Sequence, residues 1–185
     1  MKIIATDLPE VLIVEPKLFG DSRGFLLETY QSQRYAEHGI LGPFVQDNLT
    51  RSSIGVVRGL HLQYPMTQGK LVSVLHGRVL DVAVDVRMGS PTFGRHVAVE
   101  LNGDNRRQIW LPRGFAHGFA CLSETADFFY KCDNIYSPKN EIVVRWDDPM
   151  IGINWGIKTP SLSSRDAIAP RLADIKSLPR YGETL

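Results

Sequence analysis

From Arg78 to Val86 the chain alternates without a break. Leu80, Val82, Val84 and Val86 fall on one side, and Val79, Asp81, Ala83 and Asp85 on the other. A period of two belongs to a strand and not to a helix. Further extended segments follow at His96–Leu101, Arg107–Leu111, Phe115–Leu122, Asp127–Ile135 and Glu141–Trp146. Turn signals separate them at Gly89-Ser90-Pro91, Asn102-Gly103-Asp104, Ser137-Pro138 and Asp148-Pro149. Ahead of them lie short strands at Lys2–Ile4 and Val11–Val14, a glycine-containing turn leading into Phe25–Tyr30, and extended chain over Phe44–Ser53. Many short strands at regular spacing specify an all-β barrel or sandwich. Only two short helices are expected: Ser32–His38, closed by Gly39, and a second near 170–177, opened by Pro170.

At 185 residues the chain is expected to form one domain with a sizeable core. The net charge of +1 argues against a nucleic-acid surface, and the apolar runs are too short to span a membrane. Asp7, Pro9 and Glu10 interrupt the apolar N-terminus, which therefore does not read as a signal peptide. With no secretory signal, Cys121 and Cys132 are expected to be reduced thiols of a cytoplasmic protein.

The chemistry concentrates in Arg58–Gly77, which reads as two strands joined by a loop containing Pro65 and Gly69. His61 and Gln63 are two apart and share a face of the first strand. Lys70 opens the second strand and reaches the same face if the register allows. A neutral base, an amide and a cation converging on one concavity suit proton abstraction beside a carbonyl, the cation holding the developing oxyanion.

A second constellation is LPRGFAHGF, Leu111–Phe119, in which Pro112, Gly114 and His117 stand as P-x-G-x-x-H. It resembles the second motif of the cupins, double-sheet barrels of the jelly-roll kind. The first cupin motif runs H-x-H, then Glu, then Gly; here the matching stretch holds His61, Gln63, Lys70 and Gly77. Only His61 and His117 remain of a metal-ligand set, and Lys70 would repel a cation, so no metal is expected.

Taken together, DSRGFLLETY, VQDNLTRS, VVRGLHLQ, QGKLV, DVAVDVR, LPRGFAHGF, FFYKCDNIYSPKNE, RWDDP and SLSSRD, spread from Asp21 to Asp166, resemble the dTDP-4-dehydrorhamnose 3,5-epimerase family in its own order. Two departures stand out. Arg165 occupies a place where the family commonly has Lys, and the Tyr64–Gln68 loop is slightly short.

The resemblance implies a cupin-type jelly roll. It also implies cofactor-independent inversion of C3 and C5 of dTDP-4-dehydro-6-deoxy-D-glucose, giving dTDP-4-dehydro-beta-L-rhamnose. In that scheme His61 is the base, Asp166 the carboxylate that orients it, Tyr130 the acid and Lys70 the cation beside the enolate oxygen. Asp81 and Asp85 remain rival partners for His61. Arg23, Phe25, Glu28, Gln46, Asp47, Asn48, Arg58, Gln63, Lys70, His117, Tyr136, Glu141 and Arg165 would contact the nucleotide sugar, with Tyr136 stacked on the thymine. The family is homodimeric, which implies that strands within residues 1–50 are partly exchanged between subunits. The barrel core would span about 45–150 and an irregular tail 151–185. A C3-only or C5-only epimerase of a dTDP-4-keto sugar is the alternative within the same fold and site. A non-catalytic nucleotide-sugar module would have lost His61 or Tyr130, and this chain keeps both.

Overall fold

The alternating strand at Arg78 is buried on both faces, and the layering of the protein follows from that. A computed structural model of the chain describes every residue from Met1 to Leu185. Its strands are β1 Lys2–Ala5, β2 Leu12–Glu15, β3 Leu18–Asp21, β4 Gly24–Leu27, β5 Gln46–Ser53, β6 Val57–Gln63, β7 Lys70–His76, β8 Arg78–Asp85, β9 His96–Asn102, β10 Gln108–Leu111, β11 Phe115–Cys121, β12 Thr125–Cys132 and β13 Glu141–Val143. The helices are α1 Ser32–Ala36 and α2 Ser164–Ala167, with single 3-10 turns at Pro138–Asn140 and Leu172–Asp174. No helix is long and apolar enough to cross a membrane.

The strands form the double sheet of a cupin-type jelly roll. One sheet runs β1-β2-β10-β7-β12-β5 and the other β13-β6-β11-β8-β9, with all neighbours antiparallel. Between them lies a core built from inward-facing residues of both sheets, including Val72, Val79, Ala83, Leu101, Ile109, Phe119 and Phe128. The rings of Phe119 and Phe128 stack at 4.0 Å between centroids and tie β11 to β12 across the sandwich.

Leu80, Val82 and Val84 point the other way, with Leu60, Leu62, Ala116 and Ala120 beside them, onto the outer face of the five-stranded sheet. The tail covers that face. Ile151, Trp155, Leu172 and Leu178 are buried on it, and the Trp155 indole N–H donates to the Trp146 carbonyl at 2.8 Å. Apart from α2 and one 3-10 turn the tail has no regular helix or named strand, and it is nonetheless a layer of the fold. Over the other sheet, α1 buries Tyr35 against Val14, Leu71 and Trp110.

Several boundaries differ from the expectations. The helix expected near 170–177 is a 3-10 turn over Leu172–Asp174, because the backbone returns to an extended conformation at Ile175 while Leu172 and Leu178 lie down on the sheet. Helix α1 stops at Ala36 instead of His38: the N–H groups of His38 and Gly39 bond three residues back, to Tyr35 and Ala36, closing the turn. The strand expected over Phe25–Tyr30 is half of a hairpin, β3–β4, and ends at Leu27. That hairpin pairs only with itself, and Phe19, Phe25 and Leu26 are exposed. The strand expected over Glu141–Trp146 ends at Val143, and the one over Asp127–Ile135 is shifted to Thr125–Cys132.

Because the tail is a packing layer, truncating one of its buried rings should unfold more than the tail. Trp155→Ala is expected to cost about 3–5 kcal/mol, read as a lowered urea midpoint of a single transition. An early tail-only transition, with the sheets unaffected, would count against this role.

Candidate active site

The site begins with a close approach of two strands. On β6 and β11, His61 lies directly opposite His117. A Cβ on Gly59, whose φ is +117°, would stand 2.7 Å from Gly118 Cα and from the His117 carbonyl, and a Cβ on Gly118 would stand 2.7 Å from the Arg58 carbonyl. Glycine at both positions lets the strands meet, and β11 shifts register just beyond His117. The two histidines therefore stand side by side on the inner face.

Asp166 completes the first pair. Ser163 caps α2 by accepting from the Asp166 N–H at 3.1 Å, so the short helix starts where it can deliver the carboxylate. Asp166 Oδ1 lies 2.7 Å from His61 Nε2, and the carboxylate is almost fully buried. Burial alone would raise its pKa. Hydrogen bonds from His61, Ser163 and the Gly59 backbone outweigh burial and hold it below the ordinary carboxylate value. The rivals are engaged elsewhere: Asp81 bonds His117 at 2.9 Å, and Asp85 is gripped by Arg87, Ser90 and Thr92.

Across the sandwich, β12 contributes Tyr130 and β7 contributes Lys70 at its first residue, beside Cys132 in the β7–β12 pairing. The Lys70 ammonium lies 5.9 Å from the Tyr130 ring centroid. Burial pushes the Tyr130 hydroxyl up to about 12 and the Cys132 thiol up to about 11, so both are protonated at neutral pH. Burial pushes Lys70 down, opposed by the carboxylates of Asp81 and Glu141. His61 Nδ1, Tyr130 Oη and Lys70 Nζ form no hydrogen bond or ion pair within the chain, and all three residues line one cleft.

That cleft has two lobes, of about 430 and 330 Å³, which meet at His61, Lys70 and Tyr130. The larger holds Arg58, His117 and Asp166 over a floor of Phe119 and Phe128. The smaller holds Gln46, Asn48, Gln63, Tyr136 and Glu141. Its rim is knitted by Glu141, which accepts from Tyr136 Oη at 3.0 Å and from Arg165. Nowhere do three or more His, Cys, Asp or Glu side chains converge as a metal would need.

Other residues singled out from the sequence sit differently. Gln63 lines the cleft, but its amide is spent on the backbone of Met66, Ile135 and Ser137, so it braces two loops. Asp47 faces outward and pairs with Lys131 at 2.9 Å. Arg23, Phe25 and Glu28 are not in this cleft: Arg23 pairs with Asp21, Glu28 pairs with Arg34, and Phe25 lies under the Arg106 guanidinium. Thr50, Phe128 and Ser163 line the cleft without having been singled out. Alternation from Asn48 leads to Thr50 and from Tyr130 to Phe128, and Ser163-x-x-Asp166 has the spacing of a helix cap.

The cleft of this jelly roll thus sets a histidine–carboxylate pair opposite a tyrosine and a lysine. The family model for dTDP-4-dehydrorhamnose 3,5-epimerase matches residues 5–174. The Salmonella typhimurium dTDP-4-dehydrorhamnose 3,5-epimerase is 51% identical over 93% of this chain and 96% of its own. The Legionella pneumophila dTDP-6-deoxy-D-glucose-3,5-epimerase, solved in complex with dTDP-4-keto-L-rhamnose, is 53% identical with a TM-score of 0.96, over 98% of this chain and 99% of its own. A 3'-monoepimerase from Streptomyces bikiniensis, solved with dTDP-quinovose, is 34% identical with a TM-score of 0.90, over 96% of this chain and 92% of its own. The chain belongs to the dTDP-4-dehydrorhamnose 3,5-epimerase family.

The Asp166 pair gives a pH signature. A carboxylate whose pKa is lowered on folding stabilises the fold above its unfolded value, and that contribution is lost as pH falls through the folded value. Asp166→Asn should therefore be less stable than the parent at pH 7, with the gap closing below about pH 4. Urea titrations at the two pH values measure it, and a gap independent of pH would contradict the assignment.

Proposed function

We propose that this chain is a cofactor-independent, cytoplasmic 3,5-epimerase. It converts dTDP-4-dehydro-6-deoxy-D-glucose to dTDP-4-dehydro-beta-L-rhamnose. The observation that carries the reading is the placement of His61 on one sheet and of Tyr130 and Lys70 on the other, with their functional atoms unspent in a shared cleft. Inversion requires a base and an acid on opposite faces of the sugar, and facing sheets supply opposite faces.

His61 Nδ1 takes the proton from a carbon beside the C4 ketone. The C–H electron pair becomes the enolate double bond, and the ketone oxygen becomes an oxyanion. Lys70 donates to that oxyanion, an interaction stronger in the transition state than in the ground state. Asp166 stabilises the imidazolium that forms and holds the ring in place. Tyr130 then delivers its proton to the opposite face, restoring the ketone with inverted configuration. The imidazolium and tyrosinate return to their starting states by exchange with water before the second carbon is processed.

Arg58 and Arg165 supply cationic grips for the diphosphate. Gln46, Asn48, Tyr136 and Glu141 line the smaller lobe beside it. Arg23, Phe25 and Glu28 act in trans. The exposed β3–β4 hairpin and the segment after it reach the cleft of a second copy in a homodimer, which accounts for ligand-type residues standing apart from this chain's own cleft. The likeness to a 3'-monoepimerase makes C3-only inversion the second reading.

Proton NMR of the reaction in heavy water separates the two. Deuterium at both C3 and C5 of the product is expected, deuterium at C3 alone means monoepimerisation, and an unchanged keto sugar refutes the epimerase reading. His61→Asn should lower turnover by roughly 10²–10⁴-fold, and more than a tenth of the activity remaining would remove His61 as the base. In Tyr130→Phe the base still works, so exchange of substrate α-hydrogen for deuterium should outrun inversion by a wide margin. Equal loss of both would mean that Tyr130 is needed for deprotonation itself.

A further inference from the structure

Lys70 enters the cleft from the first residue of β7, so the chain is strand on one side of it and loop on the other. Its ammonium stands 5.9 Å from the centroid of the Tyr130 ring and bonds to nothing in the chain. A four-carbon stem with a free end has many rotamers. Where the ammonium comes to rest is therefore decided by the backbone it hangs from. That backbone is held by a residue with no part in the scheme above, Asp133.

Asp133 follows the last residue of β12 and grips Gly69 from both sides of its peptide. Its Oδ1 accepts from the Gly69 N–H at 2.7 Å, and its own N–H donates to the Gly69 carbonyl at 3.1 Å. A Cβ on Gly69 would stand 2.7 Å from Asp133 Oδ2 and 2.6 Å from the Trp110 ring, so the carboxylate fills the space a side chain would take. Arg113, just past β10, backs the clamp: its Nε donates to Asp133 Oδ2 at 2.9 Å and its Nη1 to the Leu185 carbonyl at 2.9 Å. The loop ahead of Gly69 is tied to the same segment, Gln68 Nε2 donating to the Asn134 carbonyl at 2.7 Å. The Asp133 side chain is only 11% exposed. Burying a carboxylate is costly, and an ordinary strand pairing would hold Gly69 with no charge at all. What the carboxylate adds is a charge-assisted hydrogen bond, shorter and stronger than a carbonyl's, on the residue next to Lys70. Neither Asp133 nor Arg113 lines the cleft, so neither is placed to touch substrate.

We propose that Asp133, backed by Arg113, is a positioning residue that fixes the start of β7, so that the Lys70 ammonium meets the ketone oxygen as it becomes the oxyanion. The proposal rests on the epimerase reading above. That oxygen gains its charge only on deprotonation, so a displaced ammonium costs turnover and spares binding.

The test is Asp133→Ala, read for turnover, for its dependence on Lys70 and for the state of the lysine itself. Its kcat on the keto sugar should fall roughly 10- to 100-fold, the cost of a misplaced catalytic group. Its KM should stay within about two-fold of the parent's. In a Lys70→Ala background, followed over long incubations, the same substitution should cost less than about two-fold, because the group it positions is already gone. Proton–carbon NMR of protein labelled at lysine Cε, without substrate, should show two separate Hε resonances for Lys70 in the parent, assigned by their loss in Lys70→Ala. In Asp133→Ala they should merge into one, as a freely rotating stem averages them. Arg113→Ala is a second variant, at a side chain about one-third exposed, which should fold even if Asp133→Ala does not. It should lower kcat in the same direction, by at least about three-fold.

Full kcat in Asp133→Ala overturns the proposal, as does a loss carried wholly by KM. An equal loss in the Lys70→Ala background also overturns it, since Asp133 would then act on the fold at large. So does Arg113→Ala with the parent's kcat and the parent's Lys70 resonances. The NMR measurement needs no substrate. A parent that is inactive on the keto sugar would refute the epimerase reading, while the Lys70 resonances still decide whether Asp133 fixes the ammonium.

Discussion

The five-stranded sheet has apolar residues on both faces, and most of the architecture answers to that constraint. Its inner face is covered by the six-stranded sheet. Its outer face has no third sheet, so the tail is laid over it, anchored by Trp155, Leu172 and Leu178. That path carries Ser163–Asp166 past the edge of β6, where the carboxylate meets His61. The His61–Asp166 pairing is thus a by-product of covering apolar surface.

Within the sandwich, polarity changes along each strand. The inner face of β12 reads Ala126, Phe128, Tyr130 and Cys132, and that of β11, in the opposite direction, reads Cys121, Phe119 and His117. The Phe119–Phe128 stack is the boundary. On one side is a dry core, and on the other a cleft in which burial displaces Lys70, His117 and Tyr130 from their ordinary pKa values. The aromatic floor supplies both the packing that joins the sheets and the poor solvation that a proton-transfer site uses.

The sequence made the sheets and the centre of the site legible for different reasons. Strict alternation exposed both faces of β8, and the two-residue spacing of His61 and Gln63 put them on one face, where the structure has them. Alternation says nothing about which atoms are already spoken for. Gln63 looked like a site amide and is consumed by three backbone partners. Helix α2 has four residues, too few for a period to register, and its only trace was the Ser163–Asp166 cap spacing. The tail's apolar residues are irregularly spaced because they fit a sheet surface and follow no period of their own, so its covering role was invisible. The Asp81–His117 bond joins residues 36 apart on neighbouring strands, a pairing that only register reveals.

The contact between His61 and Asp166 spans 105 residues. During synthesis the ribosome releases the histidine long before its carboxylate, and the sheets can assemble from strands already in hand. A chain whose sheets have formed while its tail is undocked holds an unsupported imidazole and leaves a broad apolar surface bare to chaperones and proteases. The His61–Asp166 pairing and the concealment of the apolar face then arrive together, in the same late step. A cell that clears chains by their exposed apolar surface would, in this protein, also be clearing those whose His61 still lacks its carboxylate.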